Sequence, residues 1–291
     1  DYGTDYTLTE NGASVKVIIS NNSDNDISGV LRAESDRKLS FSETKIFIPA
    51  FDETEININV YSDDKVIWNK NLINLLFETD KGEIFRYTTG VSGAHVWKVY
   101  GPYWDYYNKD KFDFCPFRNE KDNYNPCAGP DDCPDSMFHF FTSLKNEYLD
   151  EKRLFKEDIE EEEPFVLNCE DDMIGAEDLD LKMNETCVYF TGNIIFDKPT
   201  DVVIFIGANA PFVLYIDGEK KMECSKYGSS APHDNAVRGL TMGTEPKRFV
   251  IKALKPNKDF RFEMHFTNTD WAATKEEGIS YLFDNFGFVI D

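Results

Sequence analysis

No apolar run in this sequence approaches the roughly 18 residues that a bilayer-spanning helix needs. The longest, such as DVVIFIG at 201–207, are strand-length. No secretory hydrophobic segment opens the chain. It starts on Asp1 and not on Met, as expected of a mature or excised piece. A removed leader would make the protein secreted or cell-surface, and otherwise it would be cytoplasmic. Cations are scarce: 31 Lys and Arg against 54 Asp and Glu leave a formal charge of −23. That balance excludes a chain-wide nucleic-acid or anionic-membrane surface, because phosphate binding needs a cationic face that releases counterions. Cysteine is missing from the whole first third of the chain. The six that follow (Cys115, Cys127, Cys133, Cys169, Cys187 and Cys224) contain no CxxC pair. This spacing argues against zinc-ribbon and thioredoxin-type sites and leaves disulfides open. A GxSxG elbow, an HExxH helix, a P-loop and a GxGxxG turn are absent as well.

What the sequence does have is short strands and aromatic side chains. With 24 Phe, 14 Tyr and 4 Trp in 291 residues, there is ample material for packed cores despite the charge. ASVKVIIS (13–20), ISGVLRAE (27–34), TKIFIPA (44–50), TEININVYS (54–62), KVIWNKNLINLLFETD (65–80) and GEIFRYTT (82–89) are strand-like runs separated by turn-formers such as NNSDND. In 54–62 the residues Ile56, Ile58 and Val60 alternate with Asn57, Asn59 and Tyr61, the period of a strand with one dry face. Strands resume from Thr186. Phe260, Phe262, Met264 and Phe266 alternate with Arg261, Glu263, His265 and Thr267, and Asp217-Gly218 is a strong hairpin signal. The pattern predicts an all-β protein of two antiparallel β-sandwich domains, an immunoglobulin-like one over 1–92 and a jelly roll over 93–291. The small residues of TGVSGAH (89–95) mark the boundary. Between about 108 and 170 periodicity fades, and Pro116, Pro126, Pro130 and Pro134 break any regular element, so this stretch reads as an irregular insertion packed on the second sandwich. Within it, 134–155 has the composition of a helix, and the acidic run KEDIEEEEP (156–164) reads as a solvated segment.

The stretch YFTGNIIFDKPTDVVIFIGANAPFVLYIDGEK, followed by a polar loop and RFVIKALKPNKDFRFEMHFTN, resembles the galactose-binding-like jelly rolls of bacterial glycoside hydrolases. The preceding NNSDNDISGVL and IPAFDETEININV resemble the immunoglobulin-like modules found beside them. HVWKVYGPYWD is similar to carboxy-terminal regions of large bacterial hydrolases, including some with an ADP-ribosylglycohydrolase domain. The resemblance spans about two-thirds of the chain and carries no catalytic signature. It implies a non-catalytic accessory region of a bacterial multidomain protein, with carbohydrate or a neighbouring catalytic domain as partner. No cofactor is expected, apart from structural calcium of the kind such jelly rolls hold.

The candidate ligand-binding residues are Trp104, His233, Asp234, Arg238 and Trp271. The polar loop 227–239 carries an Arg–Asp–His set suited to vicinal hydroxyls, while the rings of Trp104 and Trp271 suit the apolar patch of a sugar. The same loop also reads as a plain solvated turn. Tyr100, Tyr103, Trp104, Tyr106 and Tyr107 fit either a stacking platform or a seal between sandwich and insertion. Cys115, Cys127, Cys133 and His139 number enough for tetrahedral zinc, but at a non-standard spacing. The Asp-rich turns at 21–28 and 130–135 read as oxygen-lined calcium loops or as ordinary turns. An enzymatic alternative places paired carboxylates in the insertion, and a third reading is a surface spacer or adhesin.

Overall fold

A computed structural model describes residues 6–103, 144–170, 173–175, 179, 186–225, 235–255, 260–267 and 286–290. The architecture is all-β sandwich, and the described residues fall in two compact units. The first is drawn from Asp1–His95, Ile195–Asp197 and Asp284–Asp291, and the second from Val96–Ile194 and Lys198–Phe283.

The first unit opens with β1 (Thr7–Leu8), β2 (Ala13–Ser20), β3 (Ile27–Glu34), β4 (Leu39–Phe41) and β5 (Thr44–Ile48). It continues with β6 (Glu53–Ser62), β7 (Val66–Trp68), β8 (Lys70–Thr79) and β9 (Ile84–Gly93). One sheet runs β1-β9-β8-β3-β5 and the other β2-β6-β4. The predicted alternation holds: Ile58 and Val60 are fully buried while Asn57, Asn59 and Tyr61 are exposed. The pairing of β1 with β9 is parallel and only two residues long, a departure from the antiparallel expectation. Thr89–Gly93 is strand, not linker. A Cβ on Gly93 would collide with the Trp68 carbonyl, so the small residues there serve close packing.

The second unit contains β10 (His95–Tyr103), whose first residue is shared with the first unit, the one-turn helix α1 (Glu151–Leu154), β11 (Phe165–Cys169) and β12 (Met173–Gly175). Then come β13 (Thr186–Phe196), β14 (Thr200–Ala208), β15 (Phe212–Ile216), β16 (Glu219–Cys224), β17 (Asn235–Met242), β18 (Lys247–Lys255) and β19 (Arg261–Thr267). Strands β11-β10-β13-β18-β15-β16 form one sheet and β12-β19-β14-β17 the other. Ring pairs tie the two together: Phe190 with Phe260, Phe212 with Phe262 and Phe249 with Phe266, at 5.4–6.4 Å between centroids. The predicted hairpin joins β15 to β16, with Asp217 and Gly218 both at positive φ (52° and 77°), as a type I′ turn requires.

The C-terminal strand β20 (Phe286–Val289) is hydrogen-bonded to two strands, β13 and β7. It pairs antiparallel with β7, Phe288 lying opposite Ile67, and the His95 ring stacks on Phe288 at 5.0 Å. Apolar alternation shows that 286–289 is a strand but carries no information about which sheet it joins.

Candidate functional site

Period two divides β18 between two environments. Phe249, Ile251 and Ala253 enter the aromatic core, whereas Arg248, Val250 and Lys252 point to the other face of the sheet. Cross-strand register aligns Lys252 with Tyr189 of β13, and Tyr189 with Tyr100 of β10. Lys98 lies opposite Thr191. This outer face therefore presents three cations and two tyrosines, and the segment 144–163 covers it.

Lys252 is 1% exposed, and its Nζ reaches Glu151 Oε1 at 2.6 Å and the Asn146 carbonyl oxygen. The Tyr189 hydroxyl donates to the same carboxylate at 2.6 Å. Burial, the neighbouring Cys187 and Glu151 push that phenol well above its ordinary range. Arg248 donates to the Leu154 carbonyl at 2.8 Å and the Glu157 carbonyl at 3.1 Å, and pairs with Asp158 at 2.6 Å. Lys98 approaches Asp158 from the other side at 2.6 Å. Burial opposes ionisation of Asp158, but the hydrogen bonds and charges of Lys98 and Arg248 prevail and hold its carboxyl below the usual range. Asp150 caps α1 by accepting from the Arg153 N–H at 3.0 Å.

These contacts correct the reading of 156–164 as simply solvated. Asp158 and Ile159 are inside, because cations on a sheet face must be matched when that face is covered. Alternating cations in β18 beside an acidic segment were the sequence signal for this arrangement. Five described carboxylates of the insertion, Glu151, Glu157, Asp158, Glu160 and Glu161, are engaged in ion pairs. A lowered carboxyl pKa is also the opposite of what a general acid requires.

Of the aromatic cluster, Tyr100 and Tyr103 take the sealing role. Tyr100 is fully buried, accepts from the Ile159 N–H at 3.1 Å, and belongs to a core with Leu149, Leu154 and Ile159. Tyr103 stacks with Tyr148 and donates to Glu162 at 3.0 Å. Trp104, Tyr106 and Tyr107 lie outside the described residues, as do His233, Asp234, Trp271, the possible zinc set and the turn at 130–135. At 21–28 three backbone carbonyls, of Asn25, Ile48 and Pro49, converge on the Asn21 side-chain amide nitrogen at 2.8–3.2 Å. Among the described residues no three His, Cys, Asp or Glu side chains cluster in a metal-holding group.

Arg238 is described, and it is on a strand. Residues 235–239, read from sequence as the end of a loop, begin β17, the edge strand of its sheet. Val202 pairs with Leu240 and Ile204 with Val237, so Arg238 and Gly239 together face the single residue Val203. This is a β-bulge, with Gly239 at φ 71°, and it leaves Arg238 exposed at the sheet edge.

Neither a protein-family model nor a curated protein matches this sequence. Solved structures similar to it include a secreted serine protease, VesC, from Vibrio cholerae (6% identity, TM-score 0.24, 89% of this chain), of which the chain spans 47%. A Pleurotus ostreatus lectin (10%, TM-score 0.25, 87% of this chain and 71% of the lectin) is another. A third belongs to the carbohydrate-binding modules of the β-sandwich superfamily (9%, TM-score 0.20, 86% and 94%). Likeness at these TM-scores decides nothing about a ligand.

Proposed function

We propose that the chain is a non-catalytic carbohydrate-binding region, an accessory to a catalytic domain in a bacterial multidomain hydrolase. The observation that supports it is the edge bulge at Arg238–Gly239. Bulges re-aim side chains at sheet edges, and this one offers a guanidinium four residues after Asp234 in the sequence. A shallow site of this kind combines hydroxyl-binding polar groups with a ring face from Trp104 or Trp271. The net charge of −23 favours neutral or cationic over acidic glycans. Affinity should be modest, ~10 μM to 1 mM, since little area is desolvated to offset lost rigid-body freedom. Calorimetric titration of neutral oligosaccharides into wild type, Arg238→Ala, Asp234→Ala and Trp271→Ala tests the reading. Loss of binding in the variants is expected, equal affinities throughout would displace the site, and no heat with any glycan would leave only a scaffold that orients its neighbour.

A further inference from the structure

Among its described residues the first unit has an open flank. On β8 the residues Ile73, Leu75 and Phe77 are buried and face inward, and the register places Tyr87 opposite Leu75 and Phe85 opposite Phe77. Phe85 and Tyr87 therefore point to the inner side of their sheet. Yet they are 56% and 61% exposed, because the three-stranded partner sheet ends at β2 and nothing described covers them. Between β2 and β9 lies a groove of about 640 Å³ floored by Leu31, Ile48, Leu75 and Phe77. Both walls are strand edges. Among the described residues β2 is paired only with β6, and the outer edge of β9 only with β1, at Ser92 and Gly93. Among the described residues, the stretch Ile84–Gly90 thus has no strand on its outer edge, and its backbone donors and acceptors lie above an apolar floor. The composition of the walls is selective: β2 and β9 contain two cations, Lys16 and Arg86, and not one carboxylate, in a chain with 54. Lys16 is paired with Glu55, whereas Arg86 has no carboxylate partner among the described residues.

We infer that this groove binds an extended peptide segment of a partner protein by strand addition to β9. The segment has apolar side chains at alternate positions directed onto Phe85 and Tyr87, and a carboxylate at the outward position beside Arg86. Edge backbone supplies affinity for any extended chain, and alternate side-chain pockets supply selectivity. A glycan fits poorly, because the floor offers no polar side chain to replace lost water. The single carboxylate is specified by Arg86 at contact range, where screening by salt leaves the distant charge of the chain little influence. This site is independent of the carbohydrate reading, since every residue lining it is in the first unit.

The test is fluorescence anisotropy at physiological salt with a short labelled peptide alternating threonine and valine, glutamate at its centre. A twin carries lysine at the centre, and a third version is N-methylated along one backbone edge. The glutamate peptide should bind about tenfold tighter than its twin, and Arg86→Glu should reverse that order. Phe85→Ser and Tyr87→Ser should each weaken both peptides severalfold, and N-methylation should abolish binding. All three substituted positions are exposed, so the variants should melt with the wild type. Absence of binding, equal affinity for the two peptides, indifference to N-methylation, or a wild type whose groove is closed by self-association would each overturn the proposal.

Discussion

The same alternating pattern has opposite outcomes in the two sandwiches. In the second unit the inward rings of β13, β15 and β18 meet those of β19 and its neighbours, and Phe190, Phe212 and Phe249 are fully buried. In the first unit the inward rings Phe85 and Tyr87 remain more than half exposed. The sequences GEIFRYTT and KRFVIKALK do not announce this difference. An inward-facing ring is buried only if a strand stands opposite, and the strand count of the partner sheet decides that. The second unit goes further and covers even the outer face of one sheet, at the cost of burying charge.

The largest effect should come from contrasting the two kinds of ring. Phe249→Ala, which empties a place in the second core, should destabilise that unit by about 3–5 kcal/mol, whereas Phe85→Ala should change stability by less than about 1 kcal/mol. Urea unfolding followed separately for the two transitions would show this, and similar losses for both would mean that the flank of the first unit is closed in solution. Breaking the buried pair should rank close behind. Lys252→Ala leaves Glu151 without its cation and should cost about 3–5 kcal/mol, while Lys252→Met combined with Glu151→Leu should recover most of it. A double variant as unstable as the single one would show that the segment 144–163 is held by something other than these charges.

The smallest effect is a pH dependence confined to the covered face. The folded-state carboxyl of Asp158 is depressed, so its contribution is fully present above the unfolded value of about 3.9. It fades as pH falls through the lower folded value, because the unfolded chain takes up the proton first. Wild type should therefore lose stability more steeply than Asp158→Asn below about pH 4, and the two should run parallel between pH 6 and 8. Parallel curves in acid would remove Asp158 from the account of how the segment is anchored.

Much of the architecture was legible in the residues alone. Strands at 13–20, 27–34, 186–196 and 247–255, the Asp217-Gly218 turn and the dry faces of 54–62 and 260–266 follow from a period of two and from turn chemistry, which are local properties. Some of the anchoring was legible only in part: Arg248 and Lys252, out of phase with Phe249 and Ile251 in β18, imply a polar outer face, but not what covers it. Tertiary structure alone decided three things. It placed β20 between β13 and β7, since Phe286 and Phe288 fit any apolar sheet equally well. It drew Asp158 inward while Glu160–Glu163 stayed in water, because only Asp158 lies between two cations from different strands. It also left Phe85 and Tyr87 facing a groove, because a chain specifies by its own alternation which way a side chain points. Whether another strand will be there to meet it depends on where the rest of the chain folds.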